Sequence, residues 1–195
     1  MAARDDILTA IRDHSPAPLE LPQLPDFRQG HRDLSGLFTS ALQRLNGQVV
    51  LQPPADLQRW LTETFPHAHR ICSAVPEASG TMTPAGFSHW AAPADVDVTV
   101  VRTPLGIAET GSIVLTENEV SITTAAVLAQ ALVVLLDPAD LVENVHLAYQ
   151  HPTFQQAAYA VLLSGPSGSA DIGGVTVHPA QGVTTLIVIL APRAK

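Results

Sequence analysis

The 195-residue chain reads as one α/β domain on a parallel-rich sheet, and three observations predict it. Hydrophobic residues make up 46% of the chain and charged residues 14%, too apolar for a disordered polymer and enough for a sizeable core. Segments with apolar residues at helical spacing alternate with short continuous apolar runs, the pattern of buried strands joined by helices. The connections between them are short, as βαβ units and a parallel sheet require.

Taken in order, residues 3–14 carry Ile7, Leu8 and Ile11 on one face and read as a short amphipathic helix. Pro16, Pro18, Pro22 and Pro25 then exclude a helix or a central strand, so residues 15–32 read as an extended linker. That leaves the first helix free to pack on a partner subunit or to stay mobile. The domain proper spans residues 33–195. Asp33 is an N-cap, Leu34, Leu37, Phe38, Ala41, Leu42 and Leu45 follow at helical spacing, and Asn46-Gly47 closes the helix. Val49-Val50-Leu51 is a strand, and Pro53-Pro54 opens a helix carrying Leu57, Trp60, Leu61 and Phe65. Ile71–Val75 is the next strand, and residues 76–94 form a long surface loop or a short helix. Asp95–Val101 alternates polar and apolar positions in a way that suits a strand or a helical turn. Strands follow at Ile113–Leu115, Leu132–Leu136, Ala160–Leu163 and Thr185–Leu190, with one helix expected over residues 138–149. No internal repeat is visible.

Composition also narrows function. The longest apolar run, Ala125–Leu136, contains Gln130 and is shorter than the ~20 residues a membrane span needs. The N-terminus places Arg4, Asp5 and Asp6 before any long apolar segment, which is not a secretory signal. One cysteine, Cys72, excludes an internal disulfide and an iron–sulfur cluster held by this chain's own thiolates, and it fits a reducing, cytoplasmic compartment. The net charge of −8, with ten scattered basic residues, argues against nucleic acid as a partner. The high apolar content also admits a buried subunit interface, hence a homo-oligomer. His67, His69 and Cys72 have a metal-like spacing, but no second pair of His or Cys matches it, so no metal site is expected.

Two glycine-bearing segments are the candidates for chemistry. In Ala108-Glu109-Thr110-Gly111-Ser112, Gly111 allows close backbone approach, Thr110 and Ser112 supply hydroxyls, and Glu109 is an acid, base or nucleophile if its surroundings are dry. A turn entering a strand with a solvated Glu109 would look the same. Ser164-Gly165-Pro166-Ser167-Gly168-Ser169-Ala170-Asp171-Ile172 follows a strand, where glycines and serines can build an anion-binding nest and Asp171 can hold a ligand hydroxyl. A plain surface loop is the competing reading, but a place at the carboxyl end of a sheet strand favours function. His178, just before the last strand, is a second candidate for proton transfer.

Taken together and in this order, these segments resemble the LUD-domain family that includes lactate utilization protein C. Members carry Ala-Glu/Asp-Thr-Gly-Thr running into a strand, then Gly-Pro-Ser-Arg-Thr-Ala-Asp-Ile, then Val-His-Gly-Pro. The matching residues here are Ala108–Ser112, Gly165-Pro166-Ser167 with Ala170-Asp171-Ile172, and Val177-His178. Gly168 stands where the family usually has Arg, the residue suited to a bidentate carboxylate contact.

The resemblance implies a Rossmann-like sheet of the ribose-phosphate isomerase and CoA-transferase type, with helices on both faces. It also implies a subunit or accessory role in oxidising L-lactate to pyruvate. The iron–sulfur clusters would sit on partner proteins, with no cofactor in this chain. On this expectation Glu109, Thr110, Gly111 and Ser112 form one wall of a pocket for a small carboxylate. Gly165, Ser167, Asp171 and His178 form the other, with Glu109 and His178 as the catalytic candidates. The alternative is a stand-alone phosphosugar isomerase-like or CoA-transferase-like enzyme that uses Glu109.

Overall fold

The computed structural model describes residues 2–16, 19–20, 22–23, 25–170, 173–178, 180 and 182–193. Among them, nine strands form two sheets. The first is wholly parallel, in the order β1 (Gln48–Val50), β9 (Thr185–Leu190), β6 (Ala131–Leu136), β3 (Val98–Arg102), β2 (Ile71–Ser73). The central strand β6, Ala-Leu-Val-Val-Leu-Leu, is buried at every position. Such an unbroken apolar run is what a parallel strand covered on both faces demands.

Alternate residues of these strands feed two separate cores. On one face Leu132, Val134, Leu136, Leu186 and Val188 meet Phe38 and Leu42 of helix α2 (Leu34–Arg44). On the other, Val98, Val100, Val133, Leu135 and Ile189 meet Leu57 and Leu61 of helix α3 (Leu57–Thr64). Helices therefore cover both faces, as expected for this fold class. The Asp33 carboxylate accepts from the Gly36 amide at 2.8 Å and starts α2. Asn46, at φ 63°, turns the chain out of it as Gly47 N–H donates to Leu42 O. Helix α3 begins at Leu57 rather than at the proline pair, because Asp56 is its cap and accepts from Arg59 N–H at 2.9 Å.

The second sheet lies over the α2 face in the order β7 (Leu141–Val142), β4 (Leu105–Ile107), β5 (Ser112–Thr116), β8 (Ala160–Leu163). Strands β4 and β5 form an antiparallel hairpin, β8 is antiparallel to β5, and β7 is parallel to β4. Three residues between Pro104 and a turn are too few to show a period, so β4 has no signature in the sequence. The single helix expected over residues 138–149 is broken into a 3₁₀ turn at Pro138–Asp140, β7, and helix α5 (Val145–Gln150). The reason is local and tertiary at once: Asn144 accepts from Leu147 N–H at 3.1 Å and starts the helix late, while Leu141 pairs with Gly106. The Asp95–Val101 stretch resolves as the end of a 3₁₀ turn (Ala92–Asp95) followed by strand β3 from Val98, and the 76–94 loop holds another 3₁₀ turn at Pro84–Gly86. Ahead of all this, helix α1 spans Ala2–Asp13, with Ile7 and Ile11 exposed.

Two glycines let the second sheet close onto α2. Gly111 has φ 64°, and a Cβ there would lie 2.3 Å from Leu42 N; at Gly165, φ 128°, it would lie 2.5 Å from Leu45 O. Both positions combine a left-handed backbone with the absence of room for a side chain. Gly111→Ala is expected to lower the urea unfolding free energy by roughly 2 kcal/mol or more. Gly86→Ala, where nothing lies within 4 Å, is its control and should stay within about 0.5 kcal/mol. Equal midpoints for the two variants would show that the contact carries no load.

Candidate functional site

Strands β4, β7 and β8 run in the same direction, so their carboxyl ends meet at one rim of the second sheet. There the β4–β5 turn (residues 108–111) lies between the end of β7 and the end of β8. The two glycine segments are thus neighbours, although in the mixed sheet and not at the carboxyl edge of the parallel one. The position argument for the second loop consequently does not apply, since β8 is not a strand of the open parallel sheet.

The two segments are joined by hydroxyls. Thr110 Oγ1 lies 2.6 Å from Ser112 Oγ, which lies 2.5 Å from Ser164 Oγ. Three hydroxyls hold three protons, and two are used between them. One hydroxyl proton is therefore left over to donate outward. Next to it, Gly165 and Ser167 line a cavity of about 190 Å³ whose other walls include Val127, Leu132, Leu163 and Leu186. Thr110 and Ser112 are not among its lining residues.

The loop that carries Ser167 is tied down by its backbone. Ser167 N–H donates to Val183 O at 2.7 Å, and Ser169 and Val177 exchange both amide bonds at 3.1 and 2.8 Å. This ladder brings His178 over Gly168, where a Cβ would meet the imidazole Cε1 at 2.4 Å. Glycine at this position makes room for the ring. His178 Nδ1 lies 3.1 Å from Ser167 O, and since a carbonyl only accepts, Nδ1 is the donor; in the neutral ring Nε2 is then the acceptor. Asp171 lies outside the described residues.

Glu109 faces the other way. Its carboxylate accepts weakly from Val145 N–H at 3.4 Å, and it lines a separate cavity of about 160 Å³ with Glu143, Asn144, Gln29, His31 and Leu37. The structure therefore groups Ser112, Gly165, Ser167 and His178 on one side of the turn and Glu109 on the other. Part of the proline-rich linker closes the Glu109 cavity. Gln29 and His31 amides donate to Glu143 Oε1 at 2.9 and 3.2 Å, Asn144 Nδ2 donates to Phe27 O at 3.0 Å, and Phe27 stacks on His146 at 3.8 Å. Burial by itself would raise the Glu143 carboxyl, but the amides of His31, Gln29 and Gly30 and the nearby His31 charge outweigh it and hold it below its ordinary 4.5. Asn144 is readable in the sequence as a helix cap. Glu143 is not, because its donors lie 112 and 114 residues away.

Cys72 is fully buried, and burial pushes its thiol up to about 11, which keeps it protonated. Among the described residues, no group of three or more His, Cys, Asp and Glu side chains is placed to hold a metal ion. No helix among them is long and apolar enough to cross a membrane.

Fold and rim together define an α/β protein in which a parallel sheet is backed by a smaller mixed sheet that presents two motif loops side by side. The LUD domain matches residues 92–191, just over half of the chain and including all of that second sheet, and the chain belongs to the LUD-domain family. A crystal structure of a DUF162 family protein from Deinococcus radiodurans is similar in fold, with a TM-score of 0.61 at 14% identity over 81% of this chain and 96% of that one. No curated protein sequence matches.

Lowering the pH tests the strap formed by residues 27–31. A carboxyl with a depressed folded pKa stabilises above its unfolded value of 4.5 and loses that contribution as pH falls through the folded value. Protection of the Gln29 and His31 amides, measured against the intrinsic exchange rate at each pH, should be high near neutrality and be lost as pH falls below 4.5 through the depressed folded value. In Glu143→Gln that acid-induced step should vanish. Protection that persists at pH 3 in the unaltered protein would contradict it.

Proposed function

We propose that this LUD-domain protein is a subunit or accessory protein of L-lactate utilization, working beside iron–sulfur proteins in the cytoplasm and holding a small carboxylate at the rim. The family supports the metabolic role. The observation that carries the site is the hydroxyl chain from Thr110 through Ser112 to Ser164, which ties the two motif segments into one surface beside the Gly165–Ser167 cavity.

Oxidation of lactate to pyruvate removes two electrons and two protons. The electrons and the Cα proton are assigned to the partners and their clusters, while this chain binds and orients the substrate and takes its hydroxyl proton. In this reading the outward proton of the hydroxyl chain serves a carboxylate oxygen, while Gly111 and Gly165 set the two loops against each other. Ser167 borders the ligand. His178, in its neutral form, accepts the proton of the substrate hydroxyl on Nε2. Glu109, in its own cavity with Glu143, supports the alternative of a stand-alone isomerase-like or CoA-transferase-like enzyme.

Calorimetric titration with L-lactate and with pyruvate, on the protein alone and with its co-purified iron–sulfur partners, is the direct check. Saturable heat is expected, and Ser164→Ala should weaken it by about tenfold through loss of one hydrogen-bond donor to a charged group. Absence of heat in both settings removes the carboxylate site. Turnover by the isolated chain that Glu109→Gln abolishes would instead select the enzyme reading.

A further inference from the structure

The carboxyl edge of the parallel sheet carries a second cavity, larger than either at the rim. It measures about 540 Å³, within the range of roughly 300–1,000 Å³ typical of small-molecule sites. Its floor is a cross-strand row: Arg102 pairs in register with Leu135, and Leu135 with Ile189. These residues share a face with Val98, Val100, Val133 and Ile187, so Arg102 is the one charged member of a face whose other residues along β3, β6 and β9 are apolar except Thr185 at the opposite end. Open α/β sheets bind ligands in the crevice outside these strand ends.

The guanidinium is held in place. Arg102 Nη1 donates to Ala191 O at 2.9 Å, Nη2 donates to Glu77 Oε1 at 2.6 Å, and the side chain is 20% exposed. Its partner Glu77 is 41% exposed and sits on a loop, so of the two it is the one free to leave. The other acidic group in the lining, Asp56, is engaged as the cap of α3 through Arg59 N–H. Arginine offers five N–H donors in a planar fork, so an incoming carboxylate can take the place of Glu77 while the Ala191 bond persists. Local net charge is then unchanged by the exchange.

We infer that this crevice is a binding site for an organic carboxylate with an apolar body, the carboxylate on Arg102 in place of Glu77 and the body along the accessible prolines of its lining, Pro53, Pro54 and Pro192. Glu77 acts as a built-in competitor that sets the affinity. The site is independent of the rim and of the lactate reading.

Hexanoate is a suitable probe, titrated into the full chain by calorimetry and by amide chemical shifts. Saturable binding is expected, with shifts centred on Arg102, Leu135 and Ile189. Arg102→Gln should weaken it at least about tenfold, and Glu77→Ala should strengthen it by about tenfold, since each changes one charge-assisted contact. Should Arg102→Gln fail to fold, the exposed Glu77→Ala decides by itself: tighter binding supports the site, and unchanged or weaker binding overturns it. Lack of saturation in the unaltered protein, or shifts confined to the Ser112–Ser164 rim, also overturns it.

Discussion

The approach of the α2 backbone to Gly111 and Gly165 is the contact on which the arrangement of this protein turns. Helix α2 packs in one core with the parallel sheet and the smaller mixed sheet, and its C-terminal end presses on both glycines where a β-carbon would have no room. Because the mixed sheet covers the hydrophobic face of the parallel one, this contact sets where its rim falls relative to the rest of the domain. The hydroxyl chain from Thr110 to Ser164 follows from the same closure: strands β5 and β8 are paired up to Ile113 and Leu163, which leaves Ser112 and Ser164 adjacent at the end of the ladder. Glycines that read as openings for a ligand thus have a packing duty in which backbone, not ligand, fills the space.

Three chemically different surfaces result from one architecture. Hydroxyls and an imidazole sit beside an apolar cavity at the rim, two glutamates line the cavity on the other side of the β4–β5 turn, and a single arginine stands at the carboxyl edge of the parallel sheet. Each is suited to a different partner, since hydroxyls can donate or accept, carboxylates only accept, and a guanidinium only donates. Their separation has a structural cause. The β4–β5 turn points Glu109 toward β7 and Ser112 toward β8, so neighbouring residues in one motif serve opposite sides of it.

The strap shows how composition and tertiary structure divide the work. Prolines at 22 and 25 exclude helix and central strand, and the described residues from 25 to 31 carry neither. Nothing in that composition says what the segment touches. Its anchor is a buried carboxylate far along the chain, and a buried carboxylate is tolerable only where donors surround it. The strap amides at Gln29 and His31 are those donors, so the linker and the domain satisfy each other.

Local chemistry settled what the sequence by itself could determine. The Asp33 cap and the Asn46-Gly47 exit bound α2, unbroken apolar runs mark β6 and β9, and the order of the motif segments marks the family, because each signal is carried by residues close together in the chain. Tertiary structure alone decided the rest. Strand β4 exists because Leu105–Ile107 pair with β5 and two of them also with β7, the 138–149 segment divides because Leu141 has a partner in Gly106, and Glu109 parts from Ser112 because sheet order puts β7 and β8 on opposite flanks of one hairpin. Arg102 looks like any strand-end arginine until its register with Leu135 and Ile189 puts it on an apolar face. Those outcomes depend on contacts between residues distant in sequence, and no local propensity encodes them.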